Sequence, residues 1–204
     1  EEFAIHLLFV YLKLCGTKII KIIGIINLFP NFVTLIVETN TLTYMKDLTI
    51  TAIIKVYQYD ELNEGDRSLI KTAMEATARS YSPYSHFSVG AAALLGNGTV
   101  VTGTNQENAA YPSGLCAERT TLFYANSQYP DQPVVTLAIA ARTEKDFIDH
   151  PIPPCGACRQ VILETEKRYK HPIRILLYGK ECIYEVKSIG DLLPLSFDAS
   201  AMED

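Results

Sequence analysis

Residues 45–204 are predicted to fold as one α/β domain, a mixed sheet of about five strands flanked by helices. Short apolar runs alternate with longer segments whose apolar residues recur every three or four positions, the pattern of strands that alternate with helices. Between two of the runs, Gly96-Asn97-Gly98 is a signal for a tight hairpin. The predicted order is α-β-β-α-β-α-β-β, which implies one hairpin together with parallel strands joined by crossover helices.

The elements before the hairpin are an arm and a helix. Residues 48–57 alternate roughly with a period of two and predict an extended arm or an edge strand. Asn63 is the expected N-cap of a helix that ends near Tyr81, where Ser82-Pro83 stops it. The apolar residues of this helix form one stripe, which predicts a face against the core: Leu69, Ile70, Ala73, Met74 and Ala76.

The hairpin and the elements after it complete the domain. The hairpin strands are predicted at residues 89–95 and 99–104. Residues 116–127 and 155–169 are predicted helices, the second opened by two prolines. Residues 134–141 form a continuous apolar run, typical of a strand that is buried on both faces. The last predicted elements are a buried strand, a short strand and a helical turn, at residues 173–178, 182–186 and 189–193.

The composition argues against a nucleic-acid partner and favours a reducing compartment. The chain has 204 residues, of which 48% are hydrophobic, and this is enough for one ordinary core. Its net charge is -5. Proteins that bind a phosphate backbone usually present a basic face, whereas the densest basic cluster here, residues 166–170, contains an acid. The number of cysteines, five, is odd, which argues against a disulfide scaffold and favours the cytosol.

Residues 1–44 differ in character from the rest of the chain. They are rich in Ile, Leu, Phe and Asn, and the first methionine is Met45. Their longest uncharged run, residues 22–37, is interrupted by a proline and two asparagines, whereas a membrane-spanning helix needs about 20 mostly apolar residues. The segment starts with two glutamates, unlike the basic start of a signal peptide. We therefore expect no membrane contact, and we expect residues 1–44 to be upstream or disordered sequence before a working domain at 45–204.

Three cysteines and one glutamate in two short motifs predict a catalytic metal site. The motifs are Cys116-Ala117-Glu118-Arg119 and Pro153-Pro154-Cys155-Gly156-Ala157-Cys158-Arg159. Three soft ligands leave one tetrahedral position of Zn²⁺ open, which lets a catalytic zinc hold water and lower its pKa to about 7. Glu118 follows the first ligand by two residues and is the candidate general base. The alternative is a closed structural zinc site whose fourth ligand is Cys15, Cys182 or His150.

Both motifs begin predicted helices, and each contains an arginine. At a helix N-terminus, unpaired N–H groups and the positive end of the dipole stabilise thiolates. Three thiolates around Zn²⁺ carry an excess negative charge that would weaken the metal as a Lewis acid. We expect Arg119 and Arg159 to donate hydrogen bonds to the sulfurs and to withdraw part of this charge. The alternative for either arginine is a surface salt bridge.

Five blocks of sequence, in order, carry a resemblance to a known family. They are Tyr84-Ser85-His86-Phe87-Ser88-Val89-Gly90-Ala91-Ala92, Asn105-Gln106-Glu107-Asn108-Ala109-Ala110-Tyr111, Cys116-Ala117-Glu118-Arg119-Thr120, Pro154-Cys155-Gly156-Ala157-Cys158-Arg159-Gln160-Val161 and Leu192-Leu193-Pro194. Through them, residues 61–197 resemble the small, zinc-dependent cytidine deaminases of the homotetrameric, three-cysteine type. The resemblance implies a three-layer fold, one Zn²⁺ per chain and a homotetramer. It also implies hydrolysis of cytidine or 2′-deoxycytidine to uridine or 2′-deoxyuridine and ammonia, in cytoplasmic pyrimidine salvage.

The resemblance also implies roles for single residues. Cys116, Cys155 and Cys158 would bind Zn²⁺. Glu118 would take a proton from the activated water, protonate N3 of the pyrimidine and deliver a proton to the leaving amine. The implied substrate contacts are Phe87 against the base, the Ala117 backbone at the base edge, Asn105 and Glu107 on the ribose, and Tyr111 and Phe197 at a neighbouring subunit's site. Strand alternation independently puts positions 105 and 107 on one face.

Three other functions are compatible with parts of this pattern. Another small-molecule deaminase, such as a blasticidin-type enzyme, would share the zinc site, although Asn105-x-Glu107-Asn108 favours a ribose. A nucleic-acid deaminase needs a basic, aromatic-lined surface for a flipped or single-stranded base, which the acidic balance disfavours. A non-enzymatic zinc module would have no use for Glu118, so the substitution Glu118→Gln separates it from a deaminase.

Overall fold

The structure is a computed structural model that describes residues 6–14, 18–26, 35–38 and 47–202. The chain divides into two compact units, Glu1–Thr49 and Ile50–Asp204. In the first unit the described residues form an antiparallel sheet of three strands, β1 (His6–Leu14), β2 (Lys18–Ile26) and β3 (Leu35–Glu38). That residues 1–44 are upstream or disordered sequence stays a prediction.

The second unit contains a mixed sheet of six strands. In chain order these are β4 (Ile54–Tyr57), β5 (Ser88–Leu95), β6 (Val100–Thr104), β7 (Val134–Arg142), β8 (Arg174–Tyr178) and β9 (Ile183–Val186). Their order across the sheet is β4-β9-β8-β7-β5-β6. Of these neighbours only β7 and β8 run parallel, and the remaining pairs are antiparallel. The predicted α/β class is confirmed. The sheet has one strand more than expected because residues of the predicted arm form β4 at its edge, and its one parallel pair, β7 and β8, is joined by the helix at residues 156–169.

Helices cover both faces of this sheet. Within the described residues of the second unit they are α1 (Glu64–Ala76), α2 (Ala117–Gln128) and α3 (Gly156–Tyr169). Ile70 and Ala73 of α1 share a core cluster with Ala92 of β5. Leu122 of α2 and Ile162 of α3 belong to the cluster on the opposite face. This arrangement has the three layers that the family resemblance implies, and none of these helices has the length and apolar content to cross a bilayer.

The predicted start of α1 is confirmed, whereas the helix ends earlier than predicted. The side chain of Asn63 caps the helix, because its Oδ1 accepts a hydrogen bond from Asp66 N at 2.9 Å. The α-helix ends at Ala76 and continues as a 3-10 turn to Arg79, short of Tyr81. The buried face of α1 is the predicted apolar stripe, except that Met74 is partly exposed.

A glycine in β6 allows α2 to lie close to the sheet. A Cβ atom at Gly103 would lie 2.5 Å from Thr121 Oγ1 and 2.7 Å from Thr121 N, which is closer than van der Waals contact permits. Thr121 lies in the second turn of α2, and Cys116 is the N-cap of the same helix. The close approach at Gly103 therefore determines where the first turn of α2 meets its neighbours.

Candidate active site

Two helix N-termini converge and bring the three cysteines together. Cys116 is the N-cap of α2 and Cys155 the N-cap of α3, both with extended backbone. Their carbonyl oxygens accept the first helical hydrogen bonds, from Thr120 N at 3.0 Å and Arg159 N at 2.9 Å. Cys158 is buried in the first turn of α3. Because α2 and α3 cover the same face of the sheet, two motifs that are distant in sequence meet.

The three sulfur atoms have the spacing of zinc ligands. Cys116 Sγ lies 3.8 Å from Cys155 Sγ, and Cys155 Sγ lies 3.4 Å from Cys158 Sγ. All three lie within 4.8 Å of one another. Sulfur ligands at about 2.3 Å from a tetrahedral Zn²⁺ lie roughly 3.8 Å apart, so these residues fit the metal. Hydrogen bonding from Cys158, supported by Arg119, lowers the pKa of Cys116 and favours the thiolate that a metal requires.

The described residues supply three ligands and no fourth. Cys182 and His150, two of the candidates for a closed site, are not part of the cluster, and Cys15 lies outside the described residues. His150 Nδ1 faces Glu181 Oε2 at 3.3 Å instead. A set of three protein ligands is typical of a catalytic zinc site, in which the fourth position binds water or substrate.

Glu118 is buried beside this cluster. It lies in the first turn of α2, two positions after Cys116, and is only 5% exposed. Burial raises the pKa of the Glu118 carboxyl above its ordinary value. A carboxyl whose pKa is shifted toward neutrality can both accept and release a proton, as general acid–base catalysis requires.

The two arginines make different contacts. Arg119 Nη2 lies 3.9 Å from Cys116 Sγ and donates to the Gly114 carbonyl at 3.3 Å, so it is placed as predicted beside a sulfur. Arg159 is placed differently from the prediction. Its Nε donates to the Pro154 carbonyl at 2.8 Å and its Nη1 to the Leu192 carbonyl at 2.6 Å. The Arg159 guanidinium therefore holds backbone that leads into the Cys155 cap.

A cavity of about 590 Å³ opens in front of the cysteines, a size within the usual range for small-molecule sites. Its lining combines apolar side chains, polar side chains and two cysteines of the cluster. The predicted site residues found there are Phe87, Asn105, Glu107, Tyr111, Cys116, Ala117, Glu118, Arg119 and Cys155. The structure thus brings two of the three candidate metal ligands and most of the predicted substrate contacts to one cavity, with Cys158 buried behind them.

Asn105 and Glu107 both line the cavity, as their spacing predicts, although they follow the strand rather than belong to it. β6 ends at Thr104, and the chain stays extended because Gln106 forms bridges with Tyr81 on one side and Leu115 on the other. Extended backbone alternates its side chains, so positions 105 and 107 share a face.

Glu107 holds the loop that carries Phe87. Glu107 Oε2 accepts hydrogen bonds from Tyr84 N at 2.9 Å and Ser85 N at 3.2 Å, and Oε1 accepts one from Ser85 Oγ at 2.5 Å. Hydrogen bonding from Ser85 and then from Tyr84 lowers the pKa of Glu107, which therefore stays ionised at neutral pH. Sequence reasoning missed Ser85; its only signal was a hydroxyl two positions before Phe87 in the block that begins with Tyr84.

The family resemblance implies that Tyr111 and Phe197 both lie at a neighbouring subunit's site. Within one chain, the two residues differ in their position relative to the cavity. Tyr111 lines the cavity, is 76% exposed and packs edge-to-face against Tyr84, with ring centres 6.1 Å apart. Phe197 is 63% exposed and is not part of the cavity lining. Its carbonyl accepts a hydrogen bond from Gln160 Nε2 at 2.9 Å. The contribution of both rings to a neighbouring site stays a prediction.

Comparisons with known proteins agree with this geometry. Residues 63–170 match the family model described as the cytidine and deoxycytidylate deaminase zinc-binding region. A cytidine deaminase of Halalkalibacterium halodurans is 41% identical over 136 residues, which are 67% of this chain and 96% of that protein. A cytidine deaminase of Mycobacterium tuberculosis is 39% identical over 135 residues, 65% of this chain and 86% of the relative.

Solved structures of cytidine deaminases are also similar to this chain. The crystal structure of a cytidine deaminase from Burkholderia pseudomallei superposes with a TM-score of 0.56 at 38% identity, covering 67% of this chain and 100% of that one. The crystal structure of the Mycobacterium tuberculosis cytidine deaminase superposes with a TM-score of 0.53 at 34% identity, covering 67% of this chain and 99% of that one.

Proposed function

This chain belongs to the cytidine deaminases of the zinc-binding cytidine and deoxycytidylate deaminase family, and we propose that it hydrolyses cytidine and 2′-deoxycytidine with one Zn²⁺ per chain. The products would be uridine or 2′-deoxyuridine and ammonia. The observation that carries this proposal is the buried carboxyl of Glu118 beside three converging cysteines, at a cavity that Asn105 and Glu107 also line.

The cysteines and Glu118 would divide the chemistry between them. Cys116, Cys155 and Cys158 would hold Zn²⁺, which when bound acts as a Lewis acid that lowers the pKa of water. Glu118 takes a proton from the attacking water and transfers it to N3 of the pyrimidine. The water oxygen bonds to C4, and the carboxylate takes the remaining proton from this new hydroxyl and delivers it to the exocyclic amine. The C4–N bond then breaks, ammonia leaves and C4 becomes a carbonyl. The raised pKa of Glu118 suits this role, because the same group must bind and release protons in each turnover.

The other cavity residues would position the nucleoside. Phe87 packs against the base, and the Ala117 backbone approaches its polar edge. Asn105 and Glu107 bind the sugar, one amide and one carboxylate that together can donate to and accept from hydroxyl groups. Polar groups that are left unpaired when a ligand lacks its partner give strong discrimination, so free cytosine is a poor substrate.

The proposal extends to the pathway, the compartment and the oligomeric state of the enzyme. The enzyme would act in pyrimidine salvage in the cytoplasm, where a reducing environment keeps its thiols free for metal. It would work as a homotetramer, in which Tyr111 and Phe197 contribute to neighbouring sites. Light scattering on the purified protein measures the assembly, and a monomer with full activity would contradict this part.

The working domain is proposed to be residues 45–204. Mass spectrometry of the native N-terminus tests this directly. The expected result is a chain that begins at Met45, and peptides from residues 1–44 in the active protein would contradict it.

One assay tests the activity itself. Purified protein is incubated separately with cytidine, 2′-deoxycytidine and cytosine, while ammonia release and bound zinc are followed together. We expect turnover of both nucleosides, about one zinc per chain and no turnover of cytosine. Zinc without turnover of any of the three compounds would favour the blasticidin-type alternative first and a structural zinc module second.

A further inference from the structure

The side-chain amide of Asn105 is held by three hydrogen bonds. Its Oδ1 accepts from Val89 N at 2.8 Å and from Ser80 Oγ at 2.5 Å, and its Nδ2 donates to the Phe87 carbonyl at 2.9 Å. A backbone N–H can only donate and a carbonyl can only accept, so these two neighbours determine which end of the amide is oxygen. Both lone pairs of Oδ1 are then used, and Nδ2 keeps one N–H without a partner in the described part of the chain.

Ser80 reaches Asn105 from outside the cavity that would hold substrate. It lines a separate polar hollow together with Ser82 and Ser88, and it is not part of the active-site lining. A substrate in the main cavity therefore contacts Asn105 and does not contact Ser80. Any effect of Ser80 on the reaction must pass through the amide.

Backbone hydrogen bonds keep Ser80 in register with Asn105. Tyr81 N donates to the Asn105 carbonyl at 3.1 Å, and Glu107 N donates to the Tyr81 carbonyl at 2.8 Å. These two bonds form the parallel bridge between Tyr81 and Gln106. The hydroxyl is therefore positioned by the segment on which it lies and needs little further ordering to bond with the amide.

Two further serine hydroxyls lie near Ser80 on the side away from Asn105. A serine hydroxyl carries one proton, and the short contact assigns that proton to Asn105 Oδ1. The Ser80 oxygen also lies 3.4 Å from Ser82 Oγ, which lies 3.2 Å from Ser88 Oγ. This chain of hydroxyls ends at the first residue of β5 and links Ser80 to the sheet.

We propose that Ser80 is a positioning residue that restrains the torsion of the Asn105 amide, whose O and N ends the backbone already determines, so that the free N–H of the amide donates to the sugar of the nucleoside. The inference rests on the proposed function, which assigns Asn105 to the ribose. Without the Ser80 hydroxyl, Oδ1 keeps one partner, and the terminal amide torsion, which is intrinsically broad, loses a restraint. Affinity for the sugar falls, whereas the chemistry at the cysteine cluster is untouched.

The test compares Ser80→Ala with Ser80→Thr, which keeps the hydroxyl, and with Ser68→Ala, which removes an exposed hydroxyl on α1 that contacts neither Ser80 nor Asn105. Each is assayed with cytidine and with 2′,3′-dideoxycytidine, which lacks the 2′- and 3′-hydroxyls of the sugar. Ser80→Ala should raise KM for cytidine about threefold to tenfold, the effect of one hydrogen bond, with kcat unchanged. KM for the dideoxy substrate should not change, and both control variants should behave like wild type.

Other results would overturn the proposal. An equal rise in KM for both substrates, a fall in kcat at constant KM, or no change in Ser80→Ala would each show that Ser80 does not act through the sugar. If Ser80→Ala fails to fold, Ser80→Cys, whose thiol is a weak donor, replaces it with the same expectations. Failure of the proposed function itself is distinguishable, because wild-type protein would then show no turnover of cytidine.

Discussion

Cys116 Sγ lies 3.8 Å from Cys155 Sγ, although the two residues are 39 positions apart and cap different helices. Each cysteine is held by its own helix, so the distance between the sulfurs depends on how α2 and α3 pack on the sheet. The candidate metal site is therefore a property of the folded domain, and metal binding and folding are expected to stabilise each other.

Replacing one ligand should remove the metal. In Cys155→Ser, a hard hydroxyl replaces a soft thiolate, and we expect loss of zinc after dialysis, loss of deamination and a lower thermal midpoint. Cys182→Ser is the matched control, because Cys182 lies outside the cluster and its replacement should leave zinc content unchanged. Metal analysis and thermal unfolding on the same samples measure both effects. Full zinc occupancy in Cys155→Ser would contradict the ligand assignment.

Replacing the proposed acid–base group should abolish turnover without loss of the metal. Glu118→Gln keeps the size of the side chain but cannot transfer the proton, so kcat should fall by about 10²–10⁴-fold while zinc content stays at the wild-type level. Glu75→Gln, on the exposed face of α1, is the control and should retain activity. A Glu118→Gln variant with wild-type kcat would exclude Glu118 as the base.

Adding a methyl group under α2 should disturb the site from a distance. In Gly103→Ala the new Cβ would lie 2.5 Å from Thr121 Oγ1, so α2 must move or the sheet must deform. We expect about 1–3 kcal/mol of lost stability, as for overpacked cores, together with reduced activity. Gly190→Ala, where the nearest atom would be Ser188 Oγ at 3.7 Å, should change neither. Denaturant unfolding provides the comparison, and equal stability of the two variants would contradict the packing argument.

A buried network of charged side chains should contribute more to the stability of the domain than an ion pair on the surface. Arg174 Nη1 lies 2.8 Å from Asp66 Oδ2 and 3.1 Å from Glu185 Oε2, and both acids have side chains at most 9% exposed. Asp66→Ala should cost about 2 kcal/mol of stability, below the usual range for fully buried pairs because Arg174 is one third exposed.

The control for this network is a pair on the surface. Lys71 and Glu75 lie 3.9 Å apart on α1 with side chains at least 65% exposed, so Glu75→Ala should cost less than about 0.5 kcal/mol. Urea unfolding of both variants measures the difference. A smaller loss in Asp66→Ala than in Glu75→Ala would show that the network does not stabilise the domain.

Elements whose signals are local could be predicted from the sequence. The Asn63 cap, the apolar stripe of α1 and the Gly96-Asn97-Gly98 hairpin depend on residues a few positions apart, and each is confirmed. The number of parallel pairs and the pairing of β4 with β9 could not be predicted in this way. Strand order depends on contacts between segments far apart in the chain, which local periodicity does not encode.

The sequence by itself determined the chemistry that is available. It specified three thiols, a carboxyl two positions after the first of them, and an amide and a carboxylate spaced for one face of extended backbone. Only the tertiary structure decided which of these groups meet and in what orientation. It buried Glu118, directed Arg159 to carbonyls instead of a sulfur, and placed Ser80 behind Asn105. The physical reason is that pKa values, metal geometry and hydrogen-bond direction depend on distances across the packed core, whereas residue spacing constrains only neighbours along the chain.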